Sequence, residues 1–201
     1  QEHLPTLIWS DTSMPDRTAA ILGGDAEGCY QRLLAGARLL EGGGCTVLSI
    51  PCNTSHYFAD RLQEDISIPL IHMPRETVGV LAEEGRRKVA ILATDGTIRT
   101  GVYQKECTAR GIEAVSPPEE VQKLVMSIIY DEIKRGEKGS REKFAVIDRW
   151  LRQAGCDSAI LGCTELSVYR TYHGLSDHYL DAMDVLAQRC ITACGYKLRM
   201  V

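Results

Sequence analysis

Short apolar runs alternate with longer amphipathic segments along most of the chain. The short runs are rich in β-branched residues and contain few polar positions, which is typical of strands in a parallel sheet covered on both faces. The predicted strands are 6–10, 46–50, 68–71, 88–93, 112–115 and 158–161. The predicted helices lie near 26–41, 54–64, 74–86, 97–110, 119–135, 141–154 and 181–195. This alternation predicts an α/β fold with parallel strands and right-handed crossovers.

The chain also contains an internal repeat. Residues 44–52 read GCTVLSIPC, and residues 155–163 read GCDSAILGC. In each copy a Gly-Cys pair precedes a five-residue strand-like run, which ends in Pro or Gly and a second cysteine. Residue types that begin helices follow directly. Two copies with equal spacing predict two similar units, each with a cysteine at the carboxyl end of a strand, where open α/β sheets bind ligands.

The repeat predicts two pseudo-symmetric parallel-sheet α/β domains with the active site in the cleft between them. Pro74 interrupts the pattern after an apolar run, which places a boundary near 73–74. We expect residues 1–73 and 181–201 to form the first domain, with the last helix returning to it. Residues 74–180 would form the second domain.

Composition and charge exclude several classes of protein. The hydrophobic fraction of 44% and the charged fraction of 25% are ordinary for a globular protein. A net charge of −4 argues against an electrostatic nucleic-acid binder. No apolar run approaches the roughly 20 residues that span a bilayer, and the first residues do not resemble a secretory signal. We therefore expect a cytoplasmic protein with no nucleic-acid or membrane partner.

The chain has eight cysteines, spread through its periodic segments. Without a secretory signal, a disulfide framework is not expected. No C-x-x-C pair supplies the spacing of a zinc or thioredoxin-type site. Most of these thiols are expected to be small buried hydrophobes. Cys52 and Cys163, the last residues of the repeated segment, are the exceptions.

Two thiols that face each other across a cleft suit one reaction in particular. Racemisation removes the α-proton of an amino acid on one face and replaces it on the other, so two groups must flank the carbon. A thiolate serves as the base where a polar environment lowers its pKa from about 8.5. A helix N-terminus after each cysteine favours that charge, and its N–H groups suit a substrate carboxylate.

The segments PCNTSH at 51–56 and LGCTEL at 161–166 resemble the paired motifs of the aspartate/glutamate racemase family. The resemblance is closest to the cofactor-independent aspartate racemase branch. PDRTAAIL at 15–22, ILATDGT at 91–97 and IYDEIKRG at 129–136 fit the same branch. Glu165 stands where the glutamate racemase branch typically has His, which favours the aspartate side.

The resemblance implies a catalytic acid/base pair, Cys52 and Cys163, that acts on a small acidic amino acid without pyridoxal phosphate, other cofactor or metal, in a homodimer. Matching motif positions assign substrate binding to Arg17, Asn53, Thr54, Thr94, Thr97, Lys134 and Thr164. Family members usually have a strand, a glycine-rich turn and a helix before the position of Gln1. The first strand of the first domain is therefore expected to be missing from this sequence.

Several of these residues also have a structural interpretation. The guanidinium fork of Arg17 suits a carboxylate, whereas Lys134 near a helix C-terminus also suits the helix dipole. The assigned Asn and Thr residues suit helix caps as well as anion binding. His56 either tunes the thiol of Cys52 or packs. Glu165 is expected to orient rather than to exchange protons.

The leading functional interpretation is interconversion of L- and D-aspartate, with glutamate as a possible substrate. One alternative keeps the two thiols but isomerises maleate between cis and trans through a covalent cysteine adduct. A second alternative, from another class, is a non-catalytic protein that binds dicarboxylates. A redox role for the cysteine pair is the least favoured, because a C-x-x-C pair is lacking.

Overall fold

The computed structural model describes residues 3–199 as parallel strands that alternate with helices. The strands are β1 (Leu48–Ser49), β2 (Leu70–Ile71), β3 (Lys88–Ala93), β4 (Glu113–Val115), β5 (Ser158–Gly162) and β6 (Tyr179–Asp181). They form a two-stranded sheet, β1-β2, and a four-stranded sheet in the order β4-β3-β5-β6. Every strand pair in the two sheets is parallel. The predicted α/β fold with two parallel sheets is confirmed.

Helices connect the strands. They are α1 (Arg17–Gly23), α2 (Ala26–Gly42), α3 (Ala59–Asp65), α4 (Met73–Glu83), α5 (Asp95–Thr100), α6 (Val102–Ala109), α7 (Glu119–Ser127), α8 (Arg141–Gln153), α9 (Thr164–His173) and α10 (Ala182–Ala193). A 3-10 helix covers Thr54–Phe58. In the part of the chain that the structure describes, no helix is both long and apolar enough to span a bilayer.

The four-stranded sheet is covered on both faces, which explains the apolar runs of its two central strands. Along β3, Ala90 and Leu92 face the core formed with α7 and α8, while Val89 and Ile91 face the core formed with α4, α6 and α10. All four side chains have no exposed surface. Alternate positions therefore enter opposite cores, as the pleat of a strand requires.

The two-stranded sheet has a smaller core of its own. Tyr30 and Leu34 of α2, Leu48 of β1 and Leu62 of α3 pack together in it. We refer to α1–α3, β1 and β2 as the N-terminal unit, and to α4–α10 and β3–β6 as the C-terminal unit. Helix α10 shares a core with α4 and also contacts β2. The domain boundaries at 73–74 and 180–181 stay a prediction.

Four predicted or missed elements need correction. Segment 6–10 is not a strand: Ile8 is 84% exposed, and Trp9 contacts α2 at Gly36 instead of pairing with a neighbouring strand. Strand β6 was missed because it is three residues long and ends in a charged residue. Helices α1 and α9 were also absent from the predicted elements, although residue types that begin helices were noted after Cys163.

Two predicted helices have irregular interiors. The predicted helix at 97–110 is two helices, because Gly101 adopts a left-handed conformation with φ of 70° between α5 and α6. The predicted helix at 119–135 begins as α7 and continues as a π-helical turn, Ile128–Glu132, and a 3-10 turn, Ile133–Arg135. This irregular end faces the N-terminal unit.

Candidate active site

A pocket of about 400 Å³, partly open to solvent, lies where the carboxyl ends of strands from both units meet. Residues of both units line it: Asp16, Arg17, Thr18, Pro51, Cys52, Asn53, Thr54, Thr94, Tyr130, Lys134, Cys163, Thr164 and Glu165. Eight of the nine residues predicted for the site are among them, and Thr97 is the exception.

The two cysteines of the repeat reach this pocket from opposite units. Cys52 follows β1 and is half-buried, whereas Cys163 follows β5 and is 9% exposed. Cys163 is the N-cap residue of α9, so the free N–H groups of that helix begin beside its thiol. After Cys52 the chain forms a 3-10 helix instead of an α-helix.

Glu165 controls the surroundings of Cys163. The Sγ of Cys163 donates a hydrogen bond to Oε2 of Glu165 at 2.8 Å, and the hydroxyl of Thr164 donates to the same oxygen at 3.1 Å. Burial raises the pKa of Cys163 well above its usual range, and the negative charge of Glu165 raises this pKa further. Cys163 is therefore a thiol at neutral pH.

Arg17 controls the surroundings of Cys52. It is the first residue of α1 and follows the N-cap residue Asp16, whose side chain accepts a hydrogen bond from the N–H of Ala19 at 2.9 Å. Burial lowers the pKa of Arg17, but interactions with Cys52, Asp16 and Cys29 raise it, and the net shift is upward. Arg17 and Cys52 both line the pocket, and Nη1 of Arg17 donates to the carbonyl oxygen of Pro15 at 3.0 Å.

Lys134 lies at a contact between the two units. Its Nζ is 3.5 Å from Oδ2 of Asp16 and 3.9 Å from the centre of the Tyr130 ring. The hydroxyl of Tyr130 donates to the same Asp16 oxygen at 2.9 Å. Burial lowers the pKa of Lys134, whereas Tyr130, Glu165 and Asp16 raise it, and the net shift is upward. Lys134 is a charged, partly exposed side chain at the pocket rim.

Four threonine hydroxyls join the units beneath the pocket. Thr18 donates to Thr94 at 3.1 Å, and Thr54 contacts Thr94 and Thr97 at 3.1 and 2.8 Å. Thr94 and Thr97 are 3.2 Å apart. Thr97 has no exposed surface, so its hydroxyl supports Thr54 and Thr94 and does not reach the pocket.

Asn53 presents an unpaired donor in the pocket wall. Its Oδ1 accepts a 2.5 Å hydrogen bond from the hydroxyl of Tyr103 in α6, and the residue is only 3% exposed. Its Nδ2 is buried and has no hydrogen-bond partner in the described structure. Because a buried polar group without a partner costs about 1–3 kcal/mol, this amide is suited to an acceptor that enters the pocket.

Gly96 marks a close approach between the units. A Cβ at this position would lie 2.8 Å from Oγ1 of Thr18, 2.9 Å from Cα of Thr18 and 3.0 Å from Cγ2 of Thr54. Real side chains do not tolerate such contacts with backbone atoms. Glycine at this position therefore lets α5 lie directly against the N-terminal unit.

His56 braces the loop that carries Cys52. Its Nδ1 lies 2.9 Å from the carbonyl oxygen of Cys52, and its Nε2 accepts a hydrogen bond from the N–H of Met73 at 3.1 Å. The ring is therefore neutral, and it is absent from the pocket lining. His178 and Asp181 do not line the pocket either; Asp181 caps α10.

Sequence reasoning missed Asp16, Thr18 and Tyr130 as pocket residues. Asp16 and Thr18 flank Arg17 in the PDRT segment, and Tyr130 precedes Lys134 by four residues, about one helical turn. These spacings were the available signal. Within residues 3–199, no group of three or more His, Cys, Asp and Glu side chains is arranged to hold a metal ion.

The fold and the pocket define a class: two parallel α/β units with a thiol from each at a shared site. The family model of Asp/Glu/Hydantoin racemase matches residues 1–190. The chain belongs to this family.

Two relatives and two solved structures are similar to the chain. The broad specificity amino-acid racemase RacX of Bacillus subtilis is 30% identical over 91 residues, which cover 45% of this chain and 40% of that protein. The glutamate racemase of Corynebacterium diphtheriae is 30% identical over 126 residues, which cover 60% of this chain and 45% of that protein. The chain thus spans less than half the length of these relatives.

The solved structures match over a larger share of the chain. The aspartate racemase of Picrophilus torridus has a TM-score of 0.83 at 25% identity and covers 98% of this chain and 82% of its own. An aspartate racemase homologue from Pyrococcus horikoshii has a TM-score of 0.73 at 24% identity and covers 88% of this chain and 80% of its own. This second likeness is one of fold alone.

Proposed function

We propose that the chain is an isomerase, a cofactor-independent amino-acid racemase that interconverts L- and D-aspartate, with glutamate as a further substrate. One observation supports this most strongly: Cys52 and Cys163 line one pocket from two units. A substrate held between them would present one face of its α-carbon to each thiol. Two-base proton transfer requires that arrangement.

The proposed reaction moves one proton at each face of the α-carbon. A thiolate at one cysteine takes the α-proton, and the electron pair of the C–H bond stays on carbon. The thiol of the other cysteine then gives its proton to the opposite face. The product is the other enantiomer, and the charge has moved from one sulfur to the other. The reverse reaction uses the same two groups in exchanged roles.

Binding of the substrate α-carboxylate is assigned to the groups around the helix starts. The N–H groups at the start of α9 and the hydroxyl of Thr164 lie at the pocket, and the unpaired Nδ2 of Asn53 is a buried donor there. Thr54 and Thr94 also line the pocket, with their hydroxyls bonded within the threonine cluster. Donors fixed in this way also stabilise the negative charge that develops as the proton leaves.

Two cations favour a substrate with a second carboxylate. Arg17 and Lys134 both line the pocket and both carry raised pKa values, so they are charged at neutral pH. Lys134 already pairs with Asp16, so a second substrate carboxylate would gain Arg17 as a partner and Lys134 as a further cation, whereas a neutral side chain would use neither. The similar structure from Picrophilus torridus is that of an aspartate racemase, which supports the same assignment. We also expect a cytoplasmic homodimer, on the family resemblance.

The test is racemisation in deuterated water without any cofactor. Incubation with L-aspartate should produce D-aspartate that carries α-deuterium, measured by chiral chromatography and NMR. Cys52→Ser and Cys163→Ser should each lower the rate by at least about a thousandfold, because each removes one of the two bases. Cys194→Ser, at the end of α10 and outside the pocket lining, is the matched control and should keep the wild-type rate.

Two outcomes would contradict the proposal. If wild-type protein gave neither D-aspartate nor α-deuterium, but bound dicarboxylates intact, the chain would be a binding protein. A thioether mass adduct of Cys52 or Cys163 with maleate, without amino-acid turnover, would assign it to cis–trans isomerisation instead.

A further inference from the structure

The two pocket thiols have opposite electrostatic surroundings, although the sequence repeat makes their backbone positions equivalent. Cys52 lines the pocket together with Arg17, a cation. Cys163 is next to the carboxylate of Glu165 and donates its proton to it. A thiol that donates to a carboxylate must carry its proton, and the carboxylate repels a negative sulfur.

Glu165 is held so that it faces Cys163. It lies in the first turn of α9, where an acidic side chain is favoured by the helix dipole. Its Oε2 accepts hydrogen bonds from both the Cys163 thiol and the Thr164 hydroxyl. Lys134 of the C-terminal unit is a further cation at the pocket, and its charge interacts with Glu165 and Cys163. Asp16 and Tyr130 hold Lys134 on its other side.

We propose that Glu165 keeps Cys163 protonated in the free protein, so that a turnover that starts from this form uses Cys163 as the acid and Cys52 as the base. This inference rests on the proposed racemisation. It assigns which cysteine is the base and which is the acid when a turnover begins. Glu165 contacts the sulfur of Cys163, so it acts directly on the cysteine that serves as the acid. The two copies of the repeat differ at this position, because Thr54 is the residue of the first copy that is equivalent to Glu165.

The proton balance explains why this matters. In the first half-cycle the α-proton goes to Cys52, and the proton of Cys163 goes to the opposite face of the α-carbon. Cys163 is then a thiolate beside the Glu165 carboxylate, which is the less stable charge state. The free protein returns to its starting form when Cys52 loses a proton to water and Cys163 gains one from water. Alternatively, turnover of the other enantiomer reverses both transfers.

The experiment compares the charge states of the two thiols without using turnover. Iodoacetamide alkylation of the wild-type chain is followed from about pH 6 to about pH 10, and each cysteine is assigned by peptide mass spectrometry. Alkylation midpoints are compared, because they do not depend on how accessible each thiol is. We expect the Cys163 midpoint to lie well above the usual value of a free thiol, about pH 8.5.

Glu165→Gln should lower the Cys163 midpoint by at least about one pH unit, equal to about a tenfold faster alkylation at fixed pH, and should leave the Cys52 midpoint nearly unchanged. Glu165→Asp, which keeps the charge on a shorter side chain, should give an intermediate midpoint. Glu120→Gln, an exposed glutamate in the first turn of α7, is the matched control and should change neither midpoint.

The outcomes separate this inference from the proposed function. An unchanged Cys163 midpoint in Glu165→Gln and Glu165→Asp would overturn the inference even if the wild-type chain racemises aspartate. So would a wild-type Cys163 midpoint at or below the usual value of a free thiol, about pH 8.5. If the midpoints shift as expected but no racemisation occurs, the role of Glu165 stands and the proposed function fails.

Discussion

At the scale of single residues, the four threonine hydroxyls beneath the pocket use all their protons on one another. Each hydroxyl carries one proton, and the four oxygens make four mutual contacts of 2.8–3.2 Å. A substrate carboxylate can accept a hydrogen bond from Thr54 or Thr94 only if one of these mutual hydrogen bonds breaks. The cluster therefore acts first as a connection between the two units.

Thr97 tests this connection, because it belongs to the cluster but not to the pocket. Thr97→Val keeps the shape of the side chain and removes the hydroxyl, so it should lower the free energy of unfolding by about 1–2 kcal/mol. Thr97→Ser keeps the hydroxyl and should recover part of that loss. Urea denaturation measures both. Equal stability of Thr97→Val and the wild type would show that the cluster contributes nothing.

Sequence motifs were sufficient to place eight of nine predicted residues at one pocket, and they failed for Thr97 for a physical reason. Thr94 and Thr97 are three positions apart around the start of α5, so either of them could face the ligand. The rotation of α5 decides between them, and it depends on contacts with Thr18 and Thr54 from the other unit. A short sequence motif contains no information about how its segment packs against the other unit.

At the scale of elements, the irregular end of α7 shows where periodicity has limited power. Residues 119–135 have the pattern of one helix, but the chain turns π-helical at Ile128–Glu132. The buried carboxylate of Glu132 accepts the N–H of Ser140 at 2.6 Å and pairs with Lys143. These tertiary contacts lie beyond the helix itself, so its sequence does not predict them. They bring Tyr130 and the following turn to the pocket.

The contact between the 3-10 helix after Cys52 and the start of α4 depends on a neutral His56. Burial lowers the pKa of His56 to about 4, despite the opposing effect of its bond to Cys52. The unfolded chain has a His pKa near 6.5 and binds the proton first. Folding stability is therefore complete above about pH 6.5 and falls as the pH drops towards about 4, by on the order of 3 kcal/mol from this residue.

Chemical denaturation across this pH range, for the wild type and for His56→Asn, measures that contribution. Other titrating groups are common to both proteins, so the difference between them isolates His56. The wild type should be the more stable at pH 7, and its advantage should shrink as the pH falls to about 4.5. A difference that stays constant with pH would contradict a neutral buried imidazole.

At the scale of the whole molecule, the C-terminal unit was easier to predict than the N-terminal unit. Strand β3 and most of β5 were identified because both faces of their sheet are covered, which leaves continuous apolar runs. In the N-terminal unit β1 and β2 are only two residues long, and the apolar segment 6–10 is exposed instead of paired. Hydrophobicity alone does not distinguish these two situations.

Gly96→Ala tests how closely the units must approach. In an ordinary helix this change stabilises by up to about 1 kcal/mol, but the new methyl group would meet the backbone of Thr18 at 2.9 Å. Overpacking costs about 1–3 kcal/mol, so the net effect should be a lower melting temperature and lower activity. Gly79→Ala in α4, where no atom lies within 4 Å of the added Cβ, should be neutral or stabilising. A stabilised Gly96→Ala would refute the close approach.

The close contact at Gly96 has a consequence for altering the pocket. A larger residue inside a binding site normally reduces the space for the ligand. A side chain at position 96 would instead separate the two units, because its added atom would point at the opposite unit and push that unit away. Gly96→Ala is therefore a starting point for mutants that accept longer substrates. It adds one methyl group behind the pocket wall and replaces no residue that lines the pocket.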